Sequence, residues 1–111
     1  MNSSEYCVVY ITAGSEEEAV WIAKLLVEQR LAACVTRVSP VISVYRWKGE
    51  IESASEILLI AKTRSDKFEA LRDAVRKVHS YEVPEIIAIP ITDGNPDYLN
   101  WIGECTEAEN E

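Results

Sequence analysis

Short apolar runs alternate with amphipathic stretches along this chain. The run CVVYIT (7–12) is rich in β-branched residues and is typical of a strand buried on both faces. Ser15 predicts a helix start, because Glu18 stands three residues later, as in a capping box. Apolar residues then recur with helical spacing at Ala19, Ile22, Ala23 and Leu26. The chain therefore opens with a predicted strand and an amphipathic helix.

Two longer apolar stretches follow, joined by a tight turn. Residues 32–47 predict a second strand, and a Lys-Gly pair at 48–49 supplies the turn. A third strand has its apolar part at ILLIAKT (57–63). Each arm can exceed the usual limit of about ten residues. These stretches predict a hairpin whose distal half, VISVYRWKGEIE, extends beyond what two helices can cover.

The remaining elements are a second helix, a last strand and a short third helix. Ser65 or Asp66 is predicted to cap the second helix, and EIIAIPI (85–91) is the fourth strand. Asn95 as cap and Pro96 at the first helical position start the third helix, PDYLNWI. The apolar face of the second helix is formed by Phe68, Leu71, Val75 and Val78.

The element order is β-α-β-β-α-β with a short helix appended. This order predicts an α+β fold of the ferredoxin-like, split βαβ type. Strands 2 and 4 would lie at the sheet edges, where Pro40 and Pro90 are tolerated. The length of 111 residues predicts one domain over 1–111, with 1–5 and 106–111 flexible.

Charge and composition exclude several classes of function. The net charge of −8 repels phosphate backbones and anionic lipid, so neither a nucleic acid nor a membrane is predicted as partner. No apolar run approaches the roughly 20 residues of a membrane helix, and MNSSEY lacks the features of a secretory signal. The three cysteines, Cys7, Cys34 and Cys105, are widely spaced and predict reduced thiols in the cytoplasm.

Few residues in the sequence are candidates for metal binding, ligand binding or catalysis. His79 is the only histidine, and two interpretations stay open: a helix-end residue facing terminal carbonyls, or a metal ligand together with Glu82. Cys34 lies in an apolar strand and is most simply a small buried hydrophobe. Lys62, near the end of a central strand, either reaches a cleft or extends out of the sheet. No nucleophile–base pair and no phosphate-binding glycine loop occur, so an enzyme is not predicted.

The distal hairpin also predicts self-association. Tyr45 and Trp47 lie on strand segments that no helix is predicted to cover. An exposed apolar edge favours pairing with another chain, and homo-oligomers are usually closed and symmetric. We therefore expect these two aromatic residues at a subunit interface.

Five ordered blocks resemble the CutA divalent-cation tolerance proteins. They are RLAACVTRV, SVYRWKGEIE, EILLIAKT, HSYEVPEIIAIPI and GNPDYLNWI, and the matched stretches span most of residues 7–102. The resemblance implies a homotrimer of ferredoxin-like subunits, built like the PII signalling proteins, and a link to copper and other divalent metals. It places His79, Glu82 and Cys34 as candidate metal ligands. It also implies an intersubunit cleft lined by Lys62, Tyr81 and Trp101.

The chain departs from the family where copper-linked members can carry further cysteines. Ile11 and Ala74 stand at those positions, and Ser80 stands where proline is usual. A weak site for Cu²⁺ or Zn²⁺, with oxygen and nitrogen ligands and no organic cofactor, is the resulting expectation. The leading prediction is a cytosolic trimeric divalent-metal tolerance protein. The alternative is a PII-like sensor that binds a small metabolite near Lys62 and His79.

Overall fold

The structure is a computed structural model that describes residues 5–107. Most of the termini predicted to be flexible, 1–4 and 108–111, lie outside the described residues. The elements confirm the predicted order. They are β1 (Tyr6–Ala13), α1 (Glu16–Glu28), β2 (Cys34–Trp47), β3 (Glu50–Arg64), a 3₁₀ turn (Ser65–Lys67), α2 (Phe68–Val78), β4 (Ile86–Pro90) and α3 (Pro96–Cys105). Within 5–107, no helix is long and apolar enough to cross a membrane.

The four strands form one antiparallel sheet in the order β2-β3-β1-β4. The predicted edge strands are therefore confirmed, and they carry Pro40 and Pro90. The pairing of β2 with β3 shifts register between Val38 and Val41. Pro40 thus lies in an irregularity of an edge strand, where its missing N–H breaks no ladder bond of the sheet centre.

The core lies between one face of the sheet and helices α1 and α2. Alternate residues of the two central strands point toward these helices, as the period of two requires. The strands contribute Val9, Ile11, Leu59 and Ala61, and the helices contribute Ile22, Leu26, Leu71 and Val75, all fully buried.

The opposite face of the sheet is apolar, and within residues 5–107 its centre and edges are only partly covered. Its central positions, Tyr10 and Ile60, are directly paired and only half-buried. Toward its edges, Val38, Ile87 and Ile89 are 39%, 48% and 42% exposed. An apolar sheet face of this kind is a surface that a further chain can cover.

The hairpin of β2 and β3 is long, as predicted. Its arms have 14 and 15 residues. Lys48 and Gly49 both have positive φ, 51° and 84°, which suits a two-residue turn between the paired Trp47 and Glu50. The distal part of each arm exposes apolar side chains: Ile42 and Ile51 are 67% and 63% exposed. The hairpin therefore projects apolar side chains into solvent.

The predicted cap of α2 is wrong. The α-helix begins at Phe68 behind a 3₁₀ turn, and its first residue follows Lys67, which makes no side-chain capping bond. The Ser65 N–H donates to the carbonyl of Glu5 at 2.7 Å, and Asp66 pairs with Arg64 at 2.6 Å. Ser65 and Asp66 therefore make a tertiary backbone bond and a local ion pair, and neither caps α2.

Thr106, which the sequence places in a flexible tail, lies in the interior. It is fully buried, and its hydroxyl donates to the carbonyl of Ile102 at 2.8 Å. The sequence did not predict this burial, because acidic residues follow Thr106 and a single buried threonine at the end of α3 leaves no pattern in the sequence.

Glu18 connects the start of α1 to the segment after α2. The Glu18 N–H donates to the Ser15 hydroxyl at 3.1 Å, which confirms the predicted N-cap. The Glu18 carboxylate accepts from the Ser80 N–H at 2.7 Å, the Ser80 hydroxyl at 3.0 Å and the Gly14 N–H at 3.3 Å. Burial alone would raise the pKa of Glu18, but these hydrogen bonds together lower it.

The lowered pKa of Glu18 predicts a pH-dependent stability. The folded protein favours the ionised carboxylate, so this contribution is present above the ordinary pKa of 4.5 and is lost as pH falls through the lowered value. Glu18→Gln is expected to reduce the free energy of unfolding at neutral pH by about 1–2 kcal/mol. Urea unfolding at neutral pH and at a series of lower pH values measures the difference.

The control is Glu17→Gln, on the same helical turn but exposed. We expect the gap between parent and Glu18→Gln to narrow as the solution becomes more acidic, while Glu17→Gln stays close to the parent throughout. A constant gap for Glu18→Gln at every pH would contradict the role assigned to its charge.

Candidate functional site

His79 ends α2, and its side chain is fully buried. Its ring Nε2 lies 2.7 Å from the carbonyl oxygen of Thr12, and the Tyr81 N–H donates to Nδ1 at 3.0 Å. Because Nδ1 accepts, these two bonds assign the proton to Nε2. Both ring nitrogens are thus engaged within the chain.

This geometry favours the structural interpretation of His79 over the metal-ligand one. A metal needs a ring-nitrogen lone pair, but the lone pair of Nδ1 faces Tyr81 and Nε2 carries its proton toward Thr12. The carbonyl that His79 meets belongs to the end of β1 rather than to the last turn of α2. The His79 ring therefore links the end of α2 to the end of β1 and does not cap the last turn of α2.

The position of Tyr81 is set by its contacts with His79. Its ring centre lies 4.8 Å from that of His79, and its hydroxyl donates to Glu56 Oε2 at 2.7 Å. Gly14 permits the close approach, since a Cβ there would lie 3.2 Å from the Tyr81 hydroxyl oxygen. Burial, and then the hydrogen bond to Glu56 and its charge, raise the pKa of Tyr81. The hydroxyl keeps its proton and holds Glu56 in place.

An open groove of about 710 Å³ lies between the distal hairpin and the segment after α2. Three carboxylates line it: Glu56, Glu82 and Glu85. Burial, and then the charge of Glu56, raise the pKa of Glu85. No lysine or arginine is among the described residues of its lining. The other lining residues are Thr12, Ser43, Val44, Tyr45, Trp47, Ser80, Tyr81 and Val83.

Cys34 lies away from this groove. It is paired with Lys62 of β3, which in turn is paired with Val8 of β1. Val8 is four residues from Thr12, about 13 Å along a strand. The Cys34 sulfur instead lies 3.5 Å from the hydroxyl of Tyr98, and this hydrogen bond, with burial, raises the pKa of Tyr98 to about 12. One chain therefore does not bring the sulfur of Cys34 into the neighbourhood of His79.

The three predicted cleft residues do not come together in the groove within one chain. Lys62 donates to the Thr36 hydroxyl at 3.2 Å on the sheet. Trp101 packs beside Tyr98 on α3, with ring centres 5.5 Å apart. Of these three residues, only Tyr81 lines the groove.

The two predicted interface residues also line the groove. Tyr45 and Trp47 are 42% and 39% exposed there. They face the segment of their own chain that follows α2, and each retains surface for further contacts.

The donor groups do not fit a resident metal centre within one chain. Among residues 5–107, no group of three or more histidine, cysteine, aspartate or glutamate side chains is arranged to hold a metal ion. His79 and Cys34 are hydrogen-bonded elsewhere, which leaves Glu82 as the one predicted ligand that lines the groove.

Sequence reasoning missed Glu56 and Glu85. Glu56 is only 6% exposed and stands directly before the apolar run of β3, while Glu85 stands directly before that of β4. A lone carboxylate directly before an apolar run is the signal that could have found both, and for the buried Glu56 such a charge needs a partner or a cavity.

Comparison with known proteins gives a consistent result. Residues 7–105 match the family described as CutA1 divalent ion tolerance protein. The divalent-cation tolerance protein CutA of Thermus thermophilus is 52% identical over 89% of this chain and 96% of its own length. Protein CutA of Mus musculus is 48% identical over 89% of this chain, which spans only 56% of the mouse protein.

A solved structure extends the match to three dimensions. The periplasmic divalent cation tolerance protein CutA from Archaeoglobus fulgidus superposes with a TM-score of 0.90 at 50% identity, covering 92% of this chain and 99% of that one. The alternative prediction, a PII-like sensor, gains no support from these comparisons. The sequence and the fold agree: this chain belongs to the CutA1 divalent ion tolerance family.

Proposed function

We propose that this protein acts in divalent-cation tolerance as a cytoplasmic homotrimer that binds Cu²⁺ weakly through the carboxylates of the groove. The carrying observation is a groove lined by Glu56, Glu82 and Glu85 with no lysine or arginine in its described lining. Like charges in a partly buried site repel one another, and a cation relieves that repulsion. The names of the relatives, which refer to divalent cations, point in the same direction.

The binding is weak because one chain does not gather three ligands. Glu82 is exposed and Glu56 already accepts the Tyr81 hydroxyl. Carboxylates bind Cu²⁺ in preference to Zn²⁺ by the usual order of divalent affinities. The proposed role is binding rather than catalysis, and it is supported by the Tyr81 hydroxyl, which donates to Glu56 and whose pKa is raised by burial and by that bond.

The trimer is supported by apolar surface that one chain leaves open. The uncovered sheet face centres on Tyr10 and Ile60, and the hairpin adds Ile42 and Ile51. Burial of such surface contributes about 25 cal/mol per Å². Association with two further copies is the arrangement that the family resemblance implies.

The cytoplasm is supported by the state of the cysteines. Cys7, Cys34 and Cys105 are all free thiols in the described chain. Cys7 is buried in the core, and burial raises the pKa of its thiol. Free thiols persist where the compartment is reducing.

The copper proposal is tested by calorimetric titration. Cu²⁺ is expected to bind more tightly than Zn²⁺, and the double variant Glu82→Gln/Glu85→Gln is expected to weaken Cu²⁺ binding by about tenfold. Glu104→Gln on α3 is the matched control, because it removes an exposed carboxylate away from the groove. Equal Cu²⁺ affinity in the double variant and the parent would rule out the groove as the copper site.

A second experiment separates the two roles of His79. His79→Ala leaves the Thr12 carbonyl and the Tyr81 N–H without partners, so the free energy of unfolding is expected to fall by about 2–3 kcal/mol. His79→Gln, whose amide can still donate to Thr12, is expected to recover part of that loss. Thermal and urea unfolding measure both.

Copper titration of His79→Gln completes the test. This variant, whose amide can still donate to Thr12, is expected to bind Cu²⁺ as the parent does. If His79→Gln folds normally but has lost copper binding, the histidine is a ligand and the structural assignment is wrong.

Sedimentation equilibrium tests the trimer. The parent is expected to give three chain masses, and Ile60→Glu, which places a charge at the centre of the open sheet face, is expected to give one. Val20→Glu, at an exposed position of α1, is the control and should remain trimeric. A monomeric parent, or a trimeric Ile60→Glu, would contradict the proposed interface.

A further inference from the structure

His79 has two different groups beside one of its ring nitrogens. The Tyr81 N–H donates to Nδ1 at 3.0 Å, and Oε2 of Glu18 lies 3.7 Å from the same nitrogen. A neutral imidazole can use Nδ1 as an acceptor, whereas a protonated imidazole has a donor on both nitrogens. Nδ1 therefore faces one partner that suits the neutral ring and one that suits the charged ring.

The other ring nitrogen can keep its partner in both protonation states. Nε2 donates to the carbonyl oxygen of Thr12 at 2.7 Å, and it carries a proton whether the ring is neutral or charged. Thr12 is itself held in the sheet by its pairing with Leu58 of β3. The ring is thus anchored on its Nε2 side, and a change of protonation acts on Nδ1 alone.

Glu18 is a suitable acceptor for a charged ring. Burial would raise the pKa of its carboxyl, but hydrogen bonds from Ser80 and Gly14 together lower it, so the carboxylate is ionised at neutral pH. The oxygen that accepts the Ser80 N–H at 2.7 Å is Oε2, the one that faces Nδ1. Its side chain is only 14% exposed, and a carboxylate with little access to water attracts a cation more strongly than an exposed one does.

The remaining titratable groups near the ring do not compete with Glu18. The Tyr81 ring centre lies 4.8 Å from that of His79, and burial, followed by the hydrogen bond to Glu56, raises the pKa of Tyr81, so its phenol stays neutral. The last turn of α2 carries Arg76 and Lys77, which are both exposed to water and cannot accept a proton from an imidazolium. Glu18 is therefore the charged partner that a protonated ring can reach.

We propose that His79 is a pH-sensitive switch, in which a proton added to Nδ1 exchanges the Tyr81 N–H for the carboxylate of Glu18. The proton comes from water, and it places two N–H donors face to face, so the Tyr81 amide has to move away. The Tyr81 hydroxyl, which donates to Glu56 at 2.7 Å, then loses its fixed position. Histidine side chains ordinarily change charge between about pH 5 and 8, so mild acid operates the switch.

The groups that form the switch all belong to one chain. The side chain of His79 has no exposed surface, and its partners Thr12, Glu18 and Tyr81 surround it within that chain. The switch therefore requires neither copper binding nor a particular assembly, and it does not depend on what covers the groove.

The test follows the full chain by NMR from about pH 8 to about pH 5. Long-range ¹H–¹⁵N spectra are expected to show a second ring proton appearing on Nδ1 of His79, and the backbone amides of Tyr81 and Ser80 are expected to shift with the same midpoint. The hydrogen-exchange protection factor of the Tyr81 amide is expected to fall about tenfold, since it loses one hydrogen bond. That of Leu59, which is fully buried on the central strand β3, should stay constant.

His79→Gln is the matched control. Its amide can still donate to Thr12 but does not titrate in this range, so the Tyr81 and Ser80 amides are expected to show no midpoint.

Several results would overturn the proposal. A ring that keeps a single proton, on Nε2, down to about pH 5 would make His79 a fixed structural contact. A charged ring beside an unchanged Tyr81 amide would mean that the proton enters without an exchange of partners. If the Tyr81 amide responds and that of Ser80 does not, Glu18 is not the new acceptor. A midpoint that persists in His79→Gln would assign the change to another group.

Discussion

The imidazole of His79 is the contact on which the shape of the acidic groove depends. It joins Thr12, at the end of β1, to Tyr81, which lies 69 residues later in the chain, by hydrogen bonds of 2.7 and 3.0 Å. Through the second bond it sets the backbone that places the Tyr81 hydroxyl on Glu56. Glu18 holds the same segment from the other side through Ser80. Without the ring between them, the sheet and this segment would lose the connection that shapes the groove.

The contacts of His79 limit which side chains are available to bind a cation. A histidine whose two nitrogens are engaged inside the fold is not available as a ligand, and the sulfur of Cys34 lies against Tyr98 on another part of the sheet. The carboxylates of the groove are left, with aromatic and apolar side chains beside them. Membership of the divalent-tolerance family and the absence of a three-ligand cluster in residues 5–107 are thus compatible. The open acidic groove is the place where we propose that cations bind this chain.

The fold was predictable because each of its elements is specified locally. The alternating apolar runs and the Lys48-Gly49 turn indicate the elements and the long hairpin without knowledge of distant contacts, and the prolines at 40 and 90 support the strand order that the element order implies. The site was less predictable because its contacts join residues far apart in sequence. The residues next to His79 do not indicate that its ring contacts Thr12, and those next to Glu56 do not indicate its hydrogen bond with Tyr81. Spacing along the chain grouped His79 with Glu82, whereas the fold turns one inward and leaves the other exposed.

The position of the ring proton of His79, observed by long-range ¹H–¹⁵N NMR at neutral pH, tests the role of this side chain most directly. Since the chain has a single histidine, its two ring nitrogens can be observed without ambiguity. We predict a proton on Nε2, an Nδ1 that accepts from Tyr81, and ring nitrogen shifts that do not move when diamagnetic Zn²⁺ is added. A proton on Nδ1, or a shift of either nitrogen on addition of zinc, would contradict the structural role of His79.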